Sequence, residues 1–221
     1  RSILKTGLDR AFMEGSEEAA PLQHANIRGG DLRNYDVLVL QSQRASSITN
    51  GFSVGQLPAE YTGGLGAQGV AAVKAFVENG GRVVAIEEST EFVVDLFGLG
   101  VTDATEGLPN TEFYIPGSIL RLELDAASEV NEGMGPEISA WYWNSSRAFA
   151  VNDSRIRVAA RYGSGDPLLS GWVLGGDHVA GEPAILEADI GRGSLVLFGF
   201  QPNYRAQTVA TWPLLFNAIR E

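Results

Sequence analysis

Apolar and polar positions follow two different textures along this 221-residue chain. Between Tyr35 and Leu99 short unbroken apolar runs alternate with apolar stripes at helical spacing. Tyr35-Asp36-Val37-Leu38-Val39-Leu40 reads as a buried strand, because β-branched and aliphatic residues follow one another without a polar face. Val70, Val73, Phe76 and Val77 make the inner stripe of a helix that Asn79-Gly80-Gly81 closes. Val83 to Ile86 is a second buried strand, ended abruptly by Glu87, Glu88 and Ser89. Phe92, Val93, Leu96 and Phe97 then recur at helical spacing, with Ser89 or Thr90 as N-cap and Gly98 as the stop. This strand–turn–helix unit makes Glu87, Glu88 and Ser89 the first candidates for function. In an open parallel sheet, ligands and nucleophiles gather at the turn beyond a strand's carboxyl end.

The flanks are less regular. Ile3, Leu4, Leu8, Ala11 and Phe12 predict an amphipathic helix ending near Gly15, followed by an acidic connector over residues 16–20. Leu22 to Ile27 predicts a short strand, and Gln41 to Gly69 a long polar loop of the kind that is more often functional or mobile than filler. From Val101 to Asp189 the period becomes two. Ile119–Leu124, Ile138–Trp143, Arg155–Tyr162 and Ala184–Ile190 alternate as half-buried strands, punctuated by Gly, Pro, Asn and Asp. Ser194 to Phe200 is another buried strand, Gln201-Pro202-Asn203-Tyr204 a polar break, and Pro213 opens a last helix with Leu214, Leu215, Ala218 and Ile219 inside. The expected architecture is one α/β domain over residues 1–221, with a β-rich region at about 101–190.

Charge and composition narrow the functions available. The formal net charge is −11 and the pI about 4.7, which disfavours nucleic acid and anionic membrane surfaces as partners. No apolar run approaches the ~20 residues that span a bilayer. The absence of cysteine removes disulfides, thiolate metal sites and a Cys nucleophile, and two histidines, His24 and His178, cannot form a His-rich metal centre. The sequence starts at Arg1 without an initiator Met or signal-peptide pattern, so it reads as a mature or excised piece of something longer.

Three constellations carry candidate chemistry. Ser89 on the strand–helix turn, with Asp177-His178 as a source of a base, would suit a serine hydrolase. The Glu-Glu-Ser-Thr-Glu turn, however, lacks the glycines of a nucleophile elbow. Glu87 and Glu88 are potential acid–base groups, but adjacent residues at a strand end point apart, which disfavours joint action on one substrate. Trp141 and Trp143 share one face of a strand and, with Tyr114, can form an aromatic surface for a carbohydrate or peptide if exposed. Buried, they are core or interface.

The order of Tyr35–Leu40, then Phe76-Val77-Glu78-Asn79-Gly80-Gly81-Arg82-Val83-Val84-Ala85, then Leu197-Phe198-Gly199-Phe200-Gln201-Pro202 resembles the class I glutamine amidotransferase-like domain. The resemblance implies a flavodoxin-like sheet with helices on both faces. It places the family's Cys nucleophile at the Glu87-Glu88-Ser89 turn and its His-Pro-Glu at Gln201-Pro202-Asn203. On that reading all three catalytic positions have lost their chemistry, since an amide side chain does not shuttle protons near neutral pH. What remains is a crevice between Glu87, Glu88, Ser89 and Gln201, Asn203, able to take a small polar ligand.

A second resemblance rests on Ile27-Arg28-Gly29-Gly30-Asp31-Leu32, Glu112-Phe113-Tyr114-Ile115-Pro116-Gly117-Ser118, Leu169-Ser170-Gly171-Trp172 and the run from Phe198 to Gln207. These segments are similar to the C-terminal region of bacterial zinc carboxypeptidases of the carboxypeptidase A-like family. That implies a non-catalytic accessory domain in a secreted or periplasmic enzyme. Its zinc belongs to an upstream catalytic domain, which is the expected partner together with self-association. Neither His24 nor His178 has Glu three residues on, so no zinc ligand carries over to this chain. With Arg1 at the start of the first helix, the family's first, central strand is expected upstream of the sequence or from another chain.

Overall fold

A computed structural model describes residues 3–6, 19–21, 24–29, 32–56, 58 and 62–220. In chain order its elements are β1 (Ile3–Thr6), β2 (Ala19–Pro21), α1 (His24–Arg28), β3 (Val37–Leu40), α2 (Ala45–Asn50), α3 (Gly66–Glu78), β4 (Arg82–Ile86), α4 (Ser89–Phe97), β5 (Val101–Asp103), β6 (Ser118–Leu124), β7 (Glu137–Tyr142), β8 (Phe149–Val151), β9 (Ile156–Tyr162), β10 (Leu168–Ser170), β11 (Pro183–Ile190), β12 (Gly193–Phe198) and α5 (Trp212–Ile219). They fall into two compact units, one of residues 1–98 with 189–195, the other of residues 99–188 with 196–221.

In the first unit β4, β3, β1 and β2 lie side by side in that order, and each neighbouring pair is parallel. Every side chain of β3 is buried, as are Val83, Val84, Ala85 and Ile86 of β4, as continuous apolar runs require when both faces are covered. Each such Val, Leu or Ile contributes about 1.5–3 kcal/mol by leaving water. Val73, Phe76 and Val77 of α3 and Phe92 and Val93 of α4 supply the helical side of this core. Gly98 ends α4 in the left-handed region at φ 56, its N–H donating to the Val94 and Asp95 carbonyls.

Several expectations for this unit are corrected. Ile3 and Leu4 lie on a strand, not a helix. β1 pairs in parallel with β3 (Ile3↔Val37 to Thr6↔Leu40) and with β2 (Ile3↔Ala19 to Lys5↔Pro21), so the central strand expected from upstream or from another chain is supplied from within the chain. A four-residue strand has too few positions to set its own period, and Leu8 and Phe12, which dominate the helical pattern, lie outside the described residues. His24 to Arg28 is a helix rather than part of a strand, and Ala19 and Ala20, expected in a connector, are in β2. The polar stretch 41–69 is less of a loop than its composition predicts, for it contains α2 and the start of α3.

The second unit is antiparallel. Its strands run β10-β6-β9-β11, with β7 also on β6 (Ser118↔Tyr142 to Glu123↔Glu137), and β5 and β8 form a separate pair. The alternation along β6 is the expected one, with Ser118, Leu120 and Leu122 buried. Helix α5 is tied down by Asn217, whose amide donates to the Val130 and Glu132 carbonyls at 3.0 Å each.

Asp153 closes the β5–β8 pair. Its carboxylate accepts from Arg155 Nη2 at 2.6 Å and from the Gly100 N–H at 3.0 Å. The Arg155 side-chain bonds, then the Gly100 and Arg155 backbone N–H groups, hold its pKa well below the usual carboxylate range. A depressed folded-state pKa gives stability that is complete above the unfolded carboxylate value of about 3.9 and lost as pH falls through the folded value. In urea unfolding, wild type should therefore exceed Asp153→Asn by more at pH 7 than at pH 3. An equal difference at both pH values would contradict this account.

Candidate functional site

The site that the fold makes available in the first unit lies just beyond β3 and β4. These strands are parallel and in register from Val37↔Arg82 to Leu40↔Ala85, which brings the residues after them, Gln41-Ser42 and Glu87-Glu88-Ser89, together. The chain turns there through Glu87, whose φ is 54. Glutamate rarely adopts the left-handed region, at a cost on the order of 1–3 kcal/mol, so the surroundings must hold it. They do so on both sides of the residue. Its carboxylate is wholly buried and accepts from Ser42 Oγ at 2.7 Å. Its carbonyl accepts from Thr90 Oγ1 at 2.6 Å and from the Thr90 N–H at 3.0 Å.

Ser89 is also fully buried. Its hydroxyl accepts from the Ile86 N–H at 2.8 Å and shares its proton between the carbonyls of Ile86 (2.9 Å) and Leu40 (3.0 Å). It therefore stitches β3, β4 and α4 together instead of facing a substrate. The expected N-cap at Ser89 or Thr90 is corrected: the N-cap position belongs to Glu88, with no side-chain cap bond, because the left-handed corner at Glu87 starts helical geometry one residue earlier. Glu88 points elsewhere, half-buried, 3.5 Å from the exposed Arg44 guanidinium, a surface pair worth little.

The corner has the strained strand-to-helix form of a nucleophile elbow without the glycines that usually accompany one. Glu87 stands at the corner itself, and neither it nor Ser89 presents an accessible nucleophile. A concavity of about 710 Å³ opens at the other end of the strands, where Leu32, Arg33, Asp36, Phe76 and Asn79 are among its lining residues.

In the second unit Gln201 and Asn203 are half-buried on the turn after β12, which Thr211 holds by donating to the Pro202 carbonyl at 2.6 Å. The five residues of the expected crevice thus divide, three in one unit and two in the other. Trp141 and Trp143 do share a face, with ring centroids 6.1 Å apart. Tyr204 stacks on both indoles, 5.8 Å from each and within 6° of parallel to Trp141, and the Arg205 guanidinium lies 5.3 Å over Tyr204. Both indoles are half-buried, and a tyrosine already stacks on them. Tyr114 makes its aromatic contact with Trp172 instead. His178 Nε2 lies 3.5 Å from Glu112, and its ring packs edge-on to Phe113. Among the described residues no three His, Asp or Glu side chains converge as a metal site, and no helix is long and apolar enough to cross a membrane.

Sequence reading missed Ser42, Tyr204 and Trp172. Ser42 carried a usable signal, since it follows a buried strand at the position where α/β folds gather polar groups.

No family model matches the chain, and no curated protein matches its sequence. Solved structures do match its fold. A protein from Thermoplasma acidophilum that bears the name of a GMP synthase component superposes with TM-score 0.57 at 10% identity, over 99% of this chain and 92% of that one. A ThuA-like protein from Bacteroides uniformis gives 0.53 at 12%, over 99% and 89%. A beta-galactosidase from Bacillus circulans gives 0.54 at 14%, over 90% of this chain but only 24% of its own. The fold is therefore flavodoxin-like, of the class I glutamine amidotransferase-like kind.

Removing the Ser89 hydroxyl leaves the buried Ile86 N–H without its acceptor, and removing the Ser42 hydroxyl takes a donor from a buried carboxylate. Ser89→Ala and Ser42→Ala should each cost about 1–3 kcal/mol in denaturant unfolding. Glu88→Gln, at the exposed pair, should stay within about 0.5 kcal/mol of wild type. A Ser89→Ala protein as stable as wild type would remove the structural role assigned to that hydroxyl.

Proposed function

We propose that this chain is a catalytically silent amidotransferase-like domain, working as an accessory part of a larger bacterial metallocarboxypeptidase. The observation that carries the first half is Glu87. At the left-handed corner where this fold presents a nucleophile, the chain has a buried carboxylate bonded to Ser42. A group so enclosed has no route to a glutamine carbonyl, and the hydroxyl nearest in sequence, that of Ser89, is consumed by backbone bonds. Gln201 and Asn203, carried over by resemblance from the acid–base positions, add no proton shuttle.

The second half rests on the four sequence segments quoted above, from Ile27 to Gln207. The beta-galactosidase is a precedent for such a fold within a longer chain, since its matching part is about a quarter of its length. Packing against an upstream catalytic domain, self-association or positioning of substrate are the roles open to such a domain. Zinc would reside in that upstream domain, and a secreted or periplasmic setting belongs to the same reading.

The test uses the intact source polypeptide. It should be longer than this chain, carry His-x-x-Glu upstream, and release C-terminal residues from peptides in a chelator-sensitive manner. It should liberate no ammonia from L-glutamine, and Glu87→Gln should leave its peptidase kcat within about twofold. Glutamine hydrolysis that disappears in Glu87→Gln would overturn the silent-domain half, and a source polypeptide without the upstream motif would overturn the carboxypeptidase half.

A further inference from the structure

Two segments of the second unit, residues 112–118 and 168–178, hold an aromatic pair at the surface. They are laced together by reciprocal backbone bonds between Tyr114 and Leu174, at 3.1 and 3.0 Å, and by β10 on β6, with Leu168↔Leu120 and Ser170↔Ile119. Buried Ser118 adds a clasp, its hydroxyl donating to the Trp172 carbonyl at 2.7 Å and accepting from the Trp172 N–H at 2.9 Å. Gly171 lies opposite this clasp at φ 105, where a Cβ would sit 2.6 Å from Ser118 Oγ. The backbone beneath the rings is fixed, while the rings themselves face water. Trp172 is 52% exposed, Leu169 46% and Tyr114 37%, with the two ring centroids 6.0 Å apart and 63° between planes. Rigid backbone beneath exposed aromatic area is the arrangement of a contact surface, because little conformational freedom is lost on binding.

Charge identifies the occupant. Residues 109–118 and 164–182 contain Glu112, Asp166, Asp177 and Glu182 and not one Lys or Arg. Glu112, Asp166 and Asp177 are exposed. His178, against Glu112, is the one titratable base in these segments. On the flanking strands, Arg121 lies 3.9 Å from Glu137, and Arg161 donates to the Gly181 carbonyl at 3.0 Å. Segments that carry carboxylates and no Lys or Arg repel phosphates and acidic peptides, whereas an Arg or Lys side chain gains both the carboxylates and the indole face.

We propose that the Tyr114–Trp172 surface docks a cationic polypeptide segment, with an Arg or Lys side chain on the Trp172 indole and Glu112 and Asp177 answering its charge. The inference stands on this surface alone and does not depend on the carboxypeptidase reading.

The test titrates the purified chain with a fluorescein-labelled peptide of alternating Gly and Arg, read by anisotropy, beside the same peptide with citrulline for Arg. Saturable binding of the Arg peptide alone is expected, weakening as salt rises. Trp172→Ala should weaken it by about 3- to 30-fold, the range of a cation–π contact, while Trp172→Phe, which keeps an aromatic face, should restore part of the loss. Glu112→Gln with Asp177→Asn should weaken binding and flatten its salt dependence. Unchanged affinity in Trp172→Ala would mean nonspecific attraction to an acidic protein and would overturn the proposal. So would equal binding of the citrulline peptide, no binding at all, or competition by a neutral oligosaccharide such as cellohexaose.

Discussion

The corner at Glu87 depends on the parallel pairing of β3 with β4. Their register brings residues 45 apart in sequence, Ser42 and Glu87, into hydrogen-bond contact at one end of the sheet. The Ser89 hydroxyl fastens both strands to α4, and the Thr90 bonds fasten the turn to the helix. A left-handed glutamate is affordable there only because four side chains, those of Ser42, Glu87, Ser89 and Thr90, are satisfied by one another and by nearby backbone. The corner thus turns the Glu87 carboxylate and the Ser89 hydroxyl inward.

The same tendency toward self-satisfaction appears in the second unit. Trp141 and Trp143 have the spacing of a sugar-stacking pair, but Tyr204 already lies on them. The loop carrying it holds Arg205 and Ala206 at φ 44 and 54, two further non-glycine residues in the left-handed region. Tyr114 and Trp172 are the opposite case. Their backbones are bonded to saturation while their rings face water, so recognition is more readily sited there than at the indole pair.

Sequence pattern disclosed the parts of the fold whose signal is local. The apolar runs of β3 and β4, the stripes of α3 and α4, the Gly98 stop and the period-two strands of residues 118–190 all appear where hydrophobic spacing puts them. Ile3–Thr6 departs from its pattern because four residues cannot outvote the helical spacing of Leu8 and Phe12 beside them. The candidate site was half legible: Glu87, Glu88 and Ser89 could be singled out by their place after a buried strand. Their roles could not, because a positive φ at glutamate has no sequence signature once glycine is absent, and because Ser42, Tyr204 and Trp172 find their partners only through long-range folding.

The most direct test of the account is the difference in unfolding free energy between Glu87→Gly and Glu87→Ala, measured by denaturant titration. Both lose the carboxylate, so both should be less stable than wild type. Glycine takes the left-handed corner freely, whereas alanine does not, so Glu87→Gly should be the more stable of the two by about 1 kcal/mol. If Glu87→Ala equals or exceeds Glu87→Gly, the corner is not left-handed. If both match wild type, the buried carboxylate holds nothing together, and the structural reading of this site fails.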